Sequence, residues 1–313
     1  MKRAYTQINI AVFLWGFTGI LGKAIDLTAP ILVWWRMLLA TLFLFLILYF
    51  TKGFVRIRGR ALTTLIGVGV LFAIHWVLFY YAVKWANASI AMVCMATSSV
   101  TTSILDPLIR KRPIMFSEFL LGLLAVFGVV CIYLWPAEIT DDTMQMVNFE
   151  WGLIMGIIAA VISALFSIFN KPLAEKYPAQ PLVFLEMLSG VAFLTVFLLV
   201  SGSSFLGETG WVPTSMDWLW LLILAFFCTV IPQILAMASL KKLSAFTATL
   251  SVNLEPVYGI LFAFLIFQEN EQLGPGFYIG ISLIFLSLLG QILNSTRKSR
   301  MSTPKDPHKP QYS

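Results

Sequence analysis

The sequence predicts an all-α, polytopic membrane protein of ten transmembrane helices, arranged as two inverted five-helix repeats. Three observations predict it: ten apolar stretches of membrane-crossing length, basic residues gathered in every second gap between them, and a second half that aligns with the first. A hydrocarbon core of roughly 30 Å takes about 20 residues of helix to cross. With 59% hydrophobic and only 12% charged residues, the largest contact of the chain is lipid, not water.

The stretches can be taken in order. The first, 7–26, follows Met1-Lys2-Arg3 and carries Gly16, Gly19 and Gly22 at small-residue spacing. No small-residue cleavage site closes it, so an uncleaved helix is expected there and not a signal peptide. Next come 30–50, with Arg36 near its start, and 61–83, with His75 and Trp76 well inside. The fourth, 88–109, contains the hydroxyl run Thr97-Ser98-Ser99-Val100-Thr101-Thr102-Ser103, and the fifth is 116–135. The sixth, 150–170, opens with Gly152 and Gly156, a close-packing pair, and is followed by 181–201 and 216–239. The last two are 244–267, which holds Glu255 and Pro256, and 273–294. The expected organisation is a first repeat over 1–137, an outer loop at 138–149, a second repeat over 150–295 and a polar, disordered tail over 296–313.

Lysine and arginine set the orientation, because they are retained on the cytoplasmic side. With the amino terminus inside, the inner segments carry 18 of the 21 basic residues. Lys23, Arg36 and Lys84 are the remainder; Lys23 and Lys84 are expected as boundary anchors. Both termini are then cytoplasmic, and the expected location is the plasma membrane, a bacterial inner membrane. This sorting accounts for the net charge of +6, so no nucleic acid partner is implied. Eight of ten tryptophans fall near predicted outer ends; Trp15 and Trp76 do not. Cys94, Cys131 and Cys228 stand singly in apolar runs, without disulfide or metal spacing.

The repeat shows when the chain is laid over itself at offsets of about 148 to 158 residues. Thr18-Gly19-Ile20-Leu21-Gly22-Lys23 meets Phe166-Ser167-Ile168-Phe169-Asn170-Lys171, and Tyr81 to Leu105 lies over Met237 to Leu261 without a gap. Five spans is an odd number, so the second copy enters from the opposite side. Inverted repeats of this kind place a substrate site between the halves near the midplane.

The chain resembles the EamA-type members of the drug/metabolite transporter superfamily over residues 5–295. The resemblance rests on Arg36, on Tyr80-Tyr81-Ala82-Val83-Lys84-Trp85 leading into Ala88-Ser89-Ile90-Ala91, on Leu254-Glu255-Pro256-Val257, and on Glu269 and Gly280. It implies ten helices, cytoplasmic termini, a central cavity and transport of small polar metabolites, often outward. One departure stands out: Val100 replaces the proline expected opposite Pro256, which puts the symmetry of the two midplane helices in question.

The polar residues at mid-depth form the candidate substrate pathway: Trp15, Arg36, His75, Trp76, Thr97, Ser99, Gln233, Asn253 and Glu255, with Pro256 as a helix kink. Glu255 lies about 16 Å into its span at 1.5 Å per residue. A carboxylate at that depth faces a cavity or a partner, and desolvation disfavours its charged form. It is either a proton- or substrate-handling group or a structural tie. The hydroxyls of 97–103 either line a cavity or bond their own helix carbonyls. His75 is a coupling residue or a neutral, hydrogen-bonded one. Arg36 either snorkels to the nearby interface or meets an anionic substrate group, while Glu186 is expected to meet Lys171 or Lys176. No nucleotide-binding loop, zinc-protease or hydrolase motif is present, so an enzyme is not expected, nor a cofactor or metal. The reading is a secondary-active exporter of amino acids or related amine-bearing compounds, with the bilayer, a small molecule and protons as partners. A channel or a lipid or lipid-linked-sugar flippase is the alternative.

Overall fold

The computed structural model describes residues 2–111, 116–135, 143–202, 210–243, 248, 251–252 and 254–301, and every regular element among them is helical. The helices are α1 (Lys2–Trp15), α2 (Thr18–Ala24), α3 (Ala29–Thr51), α4 (Arg60–Trp85), α5 (Ala88–Ala96), α6 (Ser98–Ile109) and α7 (Phe116–Leu134). They continue with α8 (Thr143–Lys176), α9 (Ala179–Ser201), α10 (Ser215–Ala225), a π-helical turn (Phe226–Val230), α11 (Ile231–Leu240), α12 (Glu255–Phe267) and α13 (Pro275–Met301).

Seven helical stretches among the described residues are long and apolar enough to cross a membrane: Lys2–Ala24, Ala29–Thr51, Arg60–Trp85, Ala88–Ile109, Asn148–Lys176, Ala179–Ser201 and Ser215–Leu240. Three shorter apolar helices lie at Leu120–Leu134, Glu255–Phe267 and Pro275–Ser287. Helix α3 buries Ile31, Leu32, Met37 and Leu44 while Leu42, Phe45, Leu46 and Phe50 stand exposed, the pattern of a helix with protein on one side and lipid on the other. The chain is a polytopic membrane protein.

Packing pairs the two halves. Helix α4 lies along α8 and α9, α3 along α9, α1 along α11, α5 along α12 and α8, and α7 along α13. At the last crossing two glycines meet: a Cβ built on Gly128 would lie 2.6 Å from the carbonyl oxygen of Gly280, and one on Gly280 would strike the Gly128 carbonyl. Only hydrogens at both positions let these backbones touch.

The backbone repeats its punctuation. Residues of positive φ end α3 at Lys52 and follow α9 at Gly202, 150 residues apart. Gly59 and Gly210 precede the next span in each half, and Lys111 and Gln268 end the following ones. Helices α3 and α9 each have 23 residues, and the spans Arg60–Trp85 and Ser215–Leu240 each have 26.

Two helix bounds differ from those expected. Helix α8 begins at Thr143, inside the segment expected as an outer loop, and α13 continues to Met301, past the expected start of the tail at 296; residues 302–313 lie outside the described residues. Pro256 occupies the first turn of α12, a position that suits its missing N–H; Ser251 and Val252 upstream are helical, and Asn253 between them and α12 lies outside the described residues. The span containing Val100 is nevertheless interrupted at the matching level, where α5 gives way to α6 at Thr97. The Thr97 hydroxyl bonds the Cys94 carbonyl at 2.6 Å, a local competitor for helix hydrogen bonds that needs no proline.

On the face away from the clustered bases, one carboxylate ties three segments together. Glu269 is fully buried. It accepts hydrogen bonds from the Ser89 amide at 2.9 Å, the Ser89 hydroxyl at 2.6 Å and Lys23 Nζ at 2.8 Å. It thus satisfies amides at the start of α5, which a helix cannot satisfy itself. Lys23 is thus an ion-pair partner, and Lys84 donates to the Ile25 carbonyl at 2.9 Å. Burial alone would push the Glu269 carboxyl up, but the bonds from Lys23 and Ser89 outweigh it and hold it below the ordinary value of 4.5. A depressed carboxylate contributes stability above its unfolded value and loses it as pH falls through the folded one. The wild-type unfolding temperature should therefore fall as acidification proceeds below about 4.5, and Glu269→Gln should flatten that acid limb. Equal acid slopes in the two proteins would refute the role.

Candidate functional site

Four spans are irregular at the same depth, and their irregularities surround one cavity. Helix α1 stops at Trp15 and α2 starts at Thr18; α5 stops at Ala96; the π turn precedes α11; α12 starts at Glu255. The cavity has about 610 Å³ of empty space including its mouth. Of the residues expected in the pathway, Trp15, Arg36, His75, Trp76, Gln233 and Glu255 line it. They come from both halves of the chain.

Arg36 does not snorkel. It is 0% exposed, with Nε donating to Thr229 Oγ1 at 2.7 Å, one terminal nitrogen to the Tyr80 hydroxyl at 2.9 Å and the other to the Cys228 carbonyl at 3.2 Å. The guanidinium lies 3.9 Å from the centre of the Trp76 ring, a cation–π contact strengthened by the absence of water. The sequence explains the carbonyl acceptor. Pro232 has no N–H, so the i−4 carbonyl, that of Cys228, loses its regular helix donor. The local π turn carries it within reach of Arg36, a common use of π bulges. Three of the five guanidinium donors are engaged, which leaves two for a ligand.

Glu255 is buried at the first turn of α12 and, among the described residues, has no hydrogen-bond or ion-pair partner. It shares the cavity with Arg36 without pairing to it. Val252, four residues before Pro256, is also a lining residue. His75 Nδ1 lies 2.8 Å from the Ala159 carbonyl; a carbonyl only accepts, so Nδ1 carries the hydrogen there.

Thr97 and Ser99 lie outside this cavity. Thr97 lines a separate apolar groove with Val100 and Leu123, and Ser99 is buried with its hydroxyl 3.5 Å from the Ala96 carbonyl. Thr101, Thr102 and Ser103 also bond carbonyls three or four residues back. Helix carbonyls satisfy the hydroxyls of this run, as they commonly do in membrane helices, except that of Ser98, which is buried without a partner. Asn253 lies outside the described residues. Glu186 meets neither Lys171 nor Lys176: Lys171 pairs with Glu175 at 2.9 Å and donates to the Leu240 carbonyl at 2.7 Å, and both Glu186 oxygens are buried without a partner.

Thr18, Ser163, Phe166 and Ser167 also line the cavity. They were legible through the repeat: at the 148-residue offset Trp15 falls on Ser163 and Thr18 on Phe166. Each half thus contributes equivalent positions to the lining.

Comparison with known proteins places this geometry. The model of the EamA-like transporter family matches residues 2–134 and 150–293. An uncharacterized transporter of Synechocystis sp. is 26% identical over 236 residues, 74% of this chain and 65% of its own length. The chain thus spans just under two thirds of that relative. The uncharacterized transporter YetK of Bacillus subtilis is 26% identical over 288 residues, 90% of this chain and 84% of its own. A solved crystal structure superposes with a TM-score of 0.66 at 15% identity, covering 95% of this chain and 99% of that one; this shows a shared fold. The two family matches, one per half, cover nearly all of the helical chain, which belongs to the EamA-like transporter family.

Proposed function

We propose that the chain is a secondary-active carrier that moves a small amine-bearing metabolite, an amino acid or close relative, by alternating access at the central cavity. The observation that carries this is the coexistence of Arg36 and Glu255 in one cavity, unpaired with each other. A zwitterion has a carboxylate for the two remaining Arg36 donors and an ammonium for Glu255. The faces of Trp15 and Trp76 give apolar cover around them. A pore would gain nothing from two fixed opposite charges held apart at mid-depth.

The arrangement proposed for the spans is ten helices in two inverted repeats, 1–137 and 150–295, with both termini cytoplasmic in the plasma membrane. Its support is the pairing pattern. Exchanging each span for its counterpart five spans on turns the α4–α8 contact into the α11–α1 contact and maps α3–α9, α5–α12 and α7–α13 onto themselves. The matched residues of positive φ and the equal span lengths agree.

Thermal unfolding of the purified protein against amino acids and their derivatives tests the ligand. Stabilisation should require both charges and be lost on amine acetylation or carboxyl esterification; equal stabilisation by the derivatives would remove the zwitterion reading. Single cysteines at positions 52 and 202 test the inversion. They should label from opposite sides of the membrane, and labelling from one side contradicts it.

A further inference from the structure

Three span ends meet on the basic face around a second cavity. The start of α4 at Arg60, the residue after α6 at Arg110 and the end of α8 at Lys176 surround about 990 Å³ of empty space, its mouth included. All three side chains are exposed. Their charge is only partly used: Asp106 takes Arg110 Nε at 2.6 Å, and among the described residues Arg60 and Lys176 have no ion-pair partner. Tyr177 adds a hydroxyl to the lining. The rim is also apolar, because Phe169 lines the cavity and is 37% exposed.

We infer that this cavity holds the headgroup of an anionic phospholipid. Its phosphate meets Arg60, Arg110 and Lys176, and the terminal nitrogens of Arg110 remain open to it because Asp106 occupies only Nε. A soluble anion would account for the bases but not for an exposed phenyl ring beside them. A lipid accounts for both, since its acyl chains continue along the helix wall below the headgroup. The inference stands apart from the central cavity and its substrate.

The test uses the purified full-length protein in neutral detergent, titrated with phosphatidylglycerol, with phosphatidylcholine and with inorganic phosphate, and followed by thermal unfolding. Phosphatidylglycerol should raise the unfolding temperature saturably, and phosphatidylcholine much less. In the double variant Arg60→Ala, Lys176→Ala, the phosphatidylglycerol concentration giving half the shift should rise roughly thirtyfold. Arg110 is left in place so that its contact with Asp106 persists. Equal shifts from the two lipids, or a double variant that titrates like wild type, would overturn the site. A shift from inorganic phosphate as large as that from phosphatidylglycerol would overturn the lipid as its ligand. Should the double variant fail to fold, Arg60→Gln and Lys176→Gln singly carry the test, each with an expected rise of about fivefold.

Discussion

Arg36→Ala is expected to lower the unfolding temperature of the purified protein by roughly 6–12 °C, the equivalent of about 3 kcal/mol in a chain of this size. The substitution strips the Tyr80 hydroxyl, the Thr229 hydroxyl and the Cys228 carbonyl of one partner each. It also opens a void against Trp76. An unsatisfied buried polar group costs about 1–3 kcal/mol. The losses do not simply add, because removing a buried charge also removes its desolvation cost. The Thr229 hydroxyl keeps its bond to the Leu224 carbonyl at 2.8 Å, which limits that share further. Arg36→Lys should recover less than half of the loss, since an ammonium has no planar fork to reach three acceptors and stack on a ring. Unfolding followed by tryptophan fluorescence in detergent gives the numbers. An alanine variant within about 1 °C of wild type would mean that the network carries no net stability.

The spans were largely legible because bilayer thickness imposes a length that composition reveals directly. The departures lie where local chemistry decides. Nothing in hydropathy separates the end of a loop from the start of a helix, so Thr143 and Met301 extend their helices beyond the expected bounds. Pro256 was visible, but a proline is compatible both with a kink and with a helix start. At Thr97 a hydroxyl interrupts the helix where the proline is missing.

Depth along a helix was legible in the sequence, and direction around it was not. Trp15, His75, Trp76, Gln233 and Glu255 share mid-depth and share the cavity. Thr97 and Ser99 have the right depth, but their carbonyl-bonded hydroxyls lie elsewhere. The true setting of Arg36 depends on the carbonyl freed by Pro232, a residue nearly two hundred positions away. Neither Glu269, one of the residues that carry the resemblance, nor Lys23, expected as an anchor, announced the other as a partner. Only the fold brings them to the start of α5.

Glu255→Gln is the second large effect expected, this time on transport and not on stability. The amide keeps the size of the side chain and removes its charge, so the cavity should keep its shape. An ammonium that loses a desolvated carboxylate partner loses a charge-assisted bond, and an amine substrate should be carried more than about tenfold more slowly at low concentration. If the same carboxyl alternately holds a proton and the substrate, binding of one displaces the other, and the variant loses its pH dependence with its charge. Counterflow of a labelled amino acid into proteoliposomes, measured across pH for wild type and Glu255→Gln, tests the central claim most directly. Saturable, pH-dependent exchange in the wild type and its collapse in the variant is the predicted result; full, pH-dependent exchange by Glu255→Gln would contradict the account.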